Sequence, residues 1–267
     1  MDRTPLYEPD AGVMRVAGFM SGSGTNLRRI LEYQRSMESE MGCPFRVVAI
    51  FSDSSSSNAA KIGTDYDLPV VTRDIAAYYK ARGKKKRDLT IRPGFDEATV
   101  RALQPFKISV VAYAGYMSIA SPILTSTYVG VNVHPADLSI EEHGRRKYVG
   151  DHAVRDAILA GEKTIASTTH IVSDAVDGGR ILMISPPVEV RVPPGADLGD
   201  KSTLARVESE NQDRLKEAGD WVVFPMTLRY VAEGRYTVGD KGRLFFDGEA
   251  IPKGYRLPPD METRLVE

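Results

Sequence analysis

The stretch "MRVAGFMSGSGTNLRRILEY", Met14 to Tyr33, decides the reading of the fold. Met14–Met20 is apolar apart from Arg15, which predicts a strand covered on both faces, as in a parallel sheet. "SGSGTN", Ser21–Asn26, follows as a turn. Leu27, Ile30 and Leu31 then fall at i, i+3 and i+4, the spacing of one helix face. The alternation repeats downstream. "FRVVAIFS" (45–52), "LPVVT" (68–72) and "KISVVAYAG" (107–115) read as further strands, with a helix from about Asp96 to Leu103 before the last of them. Strands alternating with helices predict an α/β chain with a Rossmann-like, doubly wound, mostly parallel sheet.

After residue 131 the rhythm loosens into a mixed C-terminal part. Two strands, "TIASTTHIV" and "RILMISPPVEVRV", flank the loop "SDAVDGG". A charged helix over about Ser202–Glu217, a helix around Trp221–Val231 and a pair of hairpins with Asp-Lys-Gly and Asp-Gly turns follow. The expected organisation is an N-terminal lobe, 14–131, and a C-terminal lobe, 132–267, joined in one compact domain.

Composition narrows the function. A net charge of −1 gives no general pull toward nucleic acid or anionic lipid, and no apolar run approaches the roughly 20 residues of a membrane-spanning helix. Cys43 is the lone cysteine, which forbids an internal disulfide and suits a reducing compartment. The expectation is a cytoplasmic protein acting on small molecules, with no nucleic-acid or membrane partner; a homodimer stays open.

Three places carry candidate chemistry. The turn Ser21–Asn26, between a strand and a helix N-terminus, has the make-up of an anion site: glycines let backbone N–H groups approach, and the helix dipole favours negative charge. A tight turn with a Ser or Thr cap is the plainer reading. A dinucleotide fingerprint does not fit, because Leu27 stands at the third glycine position and Asp53 lies 31 residues beyond Gly22, against roughly 20 in the fingerprint. With no Walker lysine, a monophosphate suits the turn best. The second place is "VGVNVHPADLS", Val129–Ser139. Asn132 and His134 share one strand face, and Pro135 then ends the strand. Two polar groups at an apolar strand end would each cost a few kcal/mol if buried unpaired. Neither zinc-ligand spacing nor a Gly-x-Ser-x-Gly elbow accompanies them. The third is Ser173–Gly179, which by itself reads as a loop between strands.

From Met14 to about Leu257 the chain resembles the glycinamide ribonucleotide formyltransferase family, in "SGSGTNL", "AGYMSIASP", "VNVHPADL", "HIVSDAVDGG" and "FPMTLRYVAEGRYTV…FFDGEAIP". The resemblance implies a formyltransferase fold and transfer of a formyl group from 10-formyltetrahydrofolate, as co-substrate, to a phosphorylated primary amine. No metal is implied. The family's catalytic trio matches Asn132, His134 and Asp177; its phosphate loop matches Gly24, Thr25 and Asn26. Its folate-contacting residues match Arg92, Tyr116, Met117, Ser118, Ile119 and Ala120, with Asp174 to Gly178 around the pterin. On this reading Asn132 and His134 face the oxyanion of a tetrahedral intermediate, and Asp177 orients the histidine, raises its pKa and keeps it charged.

The departures bear on the acceptor. Ser118 stands where the family usually has an arginine, and "LSIEEHGRRKYVG" carries inserted residues in a lid-like position. On the charged helix, direct alignment places Glu208 and Asn211 at acceptor-binding positions, with Glu210 as a substitute carboxylate. Glycinamide ribonucleotide is the expected acceptor. A nucleotide-linked amino sugar, or a non-catalytic folate- or nucleotide-binding role, are the alternatives.

Overall fold

The structure, a computed structural model, describes residues 3–259. Eight strands form one sheet: β1 (Met14–Met20), β2 (Phe45–Ser52), β3 (Val70–Thr72), β4 (Val110–Tyr113), β5 (Val129–His134), β6 (Thr168–Ile171), β7 (Ile181–Ile184) and β8 (Tyr255–Arg256). Their order across the sheet is β8-β7-β6-β5-β4-β1-β2-β3. Neighbours are parallel except for β6, which runs antiparallel to both β5 and β7. The mostly parallel α/β sheet is therefore the one that the strand–helix alternation predicts. The change of rhythm near residue 131 falls inside β5, where parallel pairing on one side meets antiparallel pairing on the other. The sheet continues through it without a break.

Both faces of β1 and β2 are buried, the physical reason for their near-continuous apolar runs. One face packs Val16, Met20, Val47 and Ile50 with Leu27 and Ile30 of the helix Thr25–Glu40 and with Val223, Phe224 and Val231 of the helix Trp221–Ala232. The other face packs Phe19, Phe51 and Tyr113 against Phe95 and Leu103 of the helix Arg92–Leu103, together with Tyr116.

The chain leaves β1 toward β2 and β3 on one side and returns to β4 and β5 on the other. That reversal, between β1 and β4, opens a crevice at the carboxyl ends of the strands, where ligands bind in sheets of this kind. At the C-terminal side, the helix Lys201–Leu215 runs into the helix Trp221–Ala232 through a five-residue wider turn, Lys216–Asp220. Pro225 lies just beyond it and has no N–H to give back to the preceding turn. The expected hairpins form a small sheet of Thr4–Pro5, Tyr236–Val238, Leu244–Phe246 and Glu249–Ala250. Its tight turn uses Asp247 (φ 48°) and Gly248 (φ 87°), the positive-φ pair of a two-residue hairpin loop. Among the described residues, no helix is long and apolar enough to cross a membrane.

Candidate active site

A cavity of about 750 Å³ occupies the crevice. One end is the turn Ser21–Asn26 after β1; its floor is the segment Ala114–Ala120 after β4 and the end of β5; its far wall is the loop Val172–Asp177. Gly24 has φ 72°, and a Cβ there would come within 2.5 Å of Ile62 and 2.7 Å of Met20. Only glycine fits where the chain bends into the helix.

β5 and β6 supply the polar centre. Asn132 and His134 both line the cavity, as alternation requires. The antiparallel register sets His170 opposite Asn132 and Thr168 opposite His134. Thr168 donates to the Ala136 carbonyl (2.6 Å) and accepts from the Leu138 N–H (3.1 Å), which fixes the turn after Pro135. The His170 Nδ1–H donates to its neighbour's carbonyl, Ile171 O, at 3.0 Å. Its Nε2 lies 3.2 Å from the Asn132 amide nitrogen and 3.5 Å from the Asp177 carboxylate. The Asn132 amide carries two hydrogens, so with one turned toward His170 the other remains to offer to a ligand.

Asp177, from the β6–β7 loop, stands between the two imidazoles. Its Oδ2 is 3.4 Å from His134 Nδ1, and its Oδ1 is 3.5 Å from His170 Nε2. The Gly150 N–H donates to Oδ2 at 2.8 Å. Asp177 has φ 49°, and a Cβ at Gly179 would lie 1.6 Å from the Ile171 carbonyl oxygen. The Asp-Gly-Gly ending is thus a steric requirement of this bend. Burial opposes the Asp177 charge, but His170, His134 and the Gly150 N–H outweigh it and hold the carboxyl at about 2. For His134 the balance goes the other way: burial pushes its pKa below the ordinary value, and Asp177 only partly offsets this. The expectation that Asp177 raises the His134 pKa and keeps it charged is corrected, because desolvation of the imidazolium exceeds its attraction to one carboxylate. The His134 Nε2–H donates to the Tyr148 carbonyl at 3.0 Å.

The structure sorts the remaining sequence-predicted residues. Gly24, Thr25, Asn26, Tyr116, Met117, Ser118, Ile119, Ala120 and Asp174 all line the cavity. Met117 (70% exposed), Ile119 (45%) and Val176 (60%) leave large apolar side chains open at the rim, as a surface for a flat apolar ligand would. Ser118 donates its hydroxyl to Asp53, a buried carboxylate whose other oxygen has no hydrogen-bond partner. Gly178 lies outside the lining. So does Arg92, which is 3% exposed. It donates to Asp96 (3.0 Å) and to the Tyr116 hydroxyl (2.7 Å), supporting Tyr116 from behind; its guanidinium is consumed by internal partners.

The acceptor residues need the largest correction. Glu208 is 3.7 Å from His152, Glu210 pairs with Arg206 at 2.9 Å, and neither lines the cavity. Asn211 is 1% exposed, and its amide spans the N–H and C=O of Arg191, both at 2.7 Å. Gln212, Lys216 and Asp220 line the cavity instead. The wider turn Lys216–Asp220 resets the helix phase and brings Asp220 to Asn26 (3.2 Å) and Ser167 (2.6 Å). Burial raises the Asp220 pKa, against those two hydrogen bonds. Sequence reasoning also missed His170, because only the antiparallel pairing of "TTHI" with "VNVH" in the sheet sets it opposite Asn132.

Comparison with known proteins places this geometry. A family profile described as formyl transferase matches residues 14–216. The chain belongs to the formyl transferase family. It is 25% identical over 244 residues to the phosphoribosylglycinamide formyltransferase of Haemophilus influenzae, covering 90% of this chain and 98% of that one. Against the enzyme of the same name from Mycobacterium tuberculosis the identity is 31% over 185 residues, with 68% and 74% covered. Among solved structures, glycinamide ribonucleotide transformylase 1 from Symbiobacterium toebii superposes with a TM-score of 0.64 at 26% identity, covering 88% of this chain and 94% of that one. A phosphoribosylglycinamide formyltransferase from Coxiella burnetii shares the fold at a TM-score of 0.67 and 19% identity, covering 92% and 100%. This formyl transferase thus shares the sheet of those structures, and its wider turn Lys216–Asp220 puts Lys216 and Asp220 on the cavity wall.

Proposed function

We propose that the protein transfers the formyl group of 10-formyltetrahydrofolate to the primary amine of glycinamide ribonucleotide. The observation that carries this reading is the Asn132–His134–His170–Asp177 cluster, set between a phosphate-type turn and an open apolar rim in one cavity. The turn Gly24–Asn26, with Lys216 nearby on the same wall, suits the acceptor phosphate. The rim of Met117, Ile119 and Val176 suits the pterin. With the two ends so assigned, the amine and the formyl carbon meet over β5.

The amine nitrogen forms a bond to the formyl carbon, and the carbonyl oxygen becomes an oxyanion. The free N–H of Asn132 is aimed to stabilise it, a contribution typically of about 3–4 kcal/mol. His134, neutral at rest because it is buried, accepts the proton that the amine gives up. The proton lands at Nδ1, since Nε2 already holds one for Tyr148. The 3.4 Å gap to Asp177 is long for a hydrogen bond and fits an Nδ1 that becomes a donor only when the imidazolium forms. Asp177, ionised far below neutral pH, stabilises that cation. As the carbon–N10 bond breaks, the proton passes to the departing folate nitrogen and the imidazole is restored.

The test follows absorbance as the purified protein turns over 10-formyltetrahydrofolate, with and without glycinamide ribonucleotide. Turnover that requires the ribonucleotide is the expected result. Turnover only with another phosphorylated amine would keep the chemistry and replace the acceptor. Folate binding with no turnover on any amine would overturn the reading.

A further inference from the structure

The segment after β5 makes direct hydrogen bonds to His134 and Asp177. Glu141–Glu142 and Arg145–Arg146 form a hairpin whose turn uses His143 (φ 51°) and Gly144 (φ 75°), the two positive-φ positions of a tight hairpin loop. From Arg146 the chain runs on to Gly150 at the cavity, and alternate residues, 146, 148 and 150, reach the His134–Asp177 pair. The Arg146 guanidinium donates through one nitrogen to the Asp177 carbonyl and through the other to the Gly179 carbonyl (2.7 Å for the second). The Tyr148 carbonyl accepts from His134, and the Gly150 N–H donates to the Asp177 carboxylate.

We propose that Arg146 is a positioning residue for formyl transfer: by gripping the carbonyls of Asp177 and Gly179 it holds the loop in the backbone conformation that sets the carboxylate between His134 and His170. Asp177 sits in the left-handed region, which aspartate tolerates better than most side chains but still at some cost, so contacts that hold the loop there matter. Gly178, with no side chain to restrict it, is the natural place for the loop to relax. One planar guanidinium spanning the carbonyls on either side of that glycine restrains both ends at once. A lysine, with a single point of charge, can serve one carbonyl at a time. Arg146 is half-buried and remains cationic, so it acts on His134 electrostatically as well. The groups that face His134 are Asp177, which favours its imidazolium, and His170 and Arg146, which oppose it.

The inference rests on the formyl-transfer reading, and wild-type turnover, measured first, tests that reading separately. Arg146→Gln and Arg146→Lys are then compared for kcat, both KM values and the pH dependence of kcat, with thermal melting to report the folded fraction. Arg146→Gln should lower kcat between about 10- and 100-fold, the usual cost of loosening a group that orients the reacting ones, and leave both KM values within about twofold. Its acid limb should move to higher pH, because loss of the cation makes His134 easier to protonate. Arg146→Lys should lower kcat as well but keep the acid limb near that of the wild type, since the charge survives and the two-carbonyl grip does not. That split is one a purely structural role would not produce. Wild-type kcat in Arg146→Lys overturns the proposal, as does a loss in Arg146→Gln confined to the folate KM. If Arg146→Gln does not fold, kcat of Arg146→Lys decides alone.

Discussion

Asp177→Asn isolates charge from shape. Asparagine tolerates the left-handed backbone that Asp177 adopts at φ 49°, and its side-chain oxygen can still accept from the Gly150 N–H. The loop should therefore keep its course while the carboxylate charge disappears. The surroundings bring the Asp177 pKa from 3.8 to about 2, a preference for the ionised form worth roughly 2.5 kcal/mol. By reciprocity the His134 part of these interactions favours the His134 imidazolium. That part is less than the whole, because His170 and the Gly150 N–H contribute too, so the imidazolium formed during transfer loses up to roughly 2.5 kcal/mol. The expected drop in kcat is about 10- to 100-fold, with both KM values little changed, read by the absorbance assay. A second readout is stability. A carboxyl whose folded pKa is depressed contributes stability that is present above its unfolded pKa and lost as pH falls through about 2. Urea denaturation between pH 5 and 2 should accordingly show a shallower loss in Asp177→Asn than in the wild type. A variant with kcat within threefold of the wild type, or one whose defect lies wholly in KM, would refute the role assigned to the charge.

Three further outcomes follow from the same geometry. Asn132→Ala removes the donor proposed for the oxyanion and should lower kcat by about 10²- to 10³-fold; a change in KM alone would remove Asn132 from the chemistry. His134 is held neutral by burial, so its contribution is full above the unfolded pKa of about 6.5 and is lost as pH falls from there toward the lower folded value. The urea midpoint should then fall between pH 7.5 and 5.5 by more in the wild type than in His134→Gln; equal slopes would argue against a depressed histidine. Asn211→Ala breaks a buried amide that satisfies both backbone groups of Arg191 and should cost about 2–3 kcal/mol of stability while leaving the acceptor KM unchanged. A raised acceptor KM without loss of stability would return Asn211 to the binding site.

The parallel half of the sheet was legible because its strands are buried on both faces, so Met14–Met20 and Phe45–Ser52 stand out as apolar runs bounded by polar turns. The turn Ser21–Asn26 and the pair Asn132/His134 were legible for a related reason: their geometry depends on a few adjacent residues and on strand alternation. Arg92 was not, since nothing local says that Asp96 and the Tyr116 hydroxyl, the latter from a different element, will occupy its guanidinium. The stripe Gln212–Lys216–Asp220 was not either. One widened turn changes which helix face meets the cavity, and spacing rules assume a constant period.

By itself the sequence determined the α/β alternation, the turn that bends into the first helix and the placing of Asn132 and His134 on one strand face. All of these follow from periodicity and local backbone demands, whereas Asp177 was marked only by the family resemblance. Only the tertiary structure decided that His170 completes the cluster, that burial outweighs Asp177 in setting the charge of His134, and that the hairpin after β5 hydrogen-bonds to the Asp177 loop. Each of those depends on residues far apart in the chain being brought together and cut off from water, and no local pattern encodes either the contact or the desolvation.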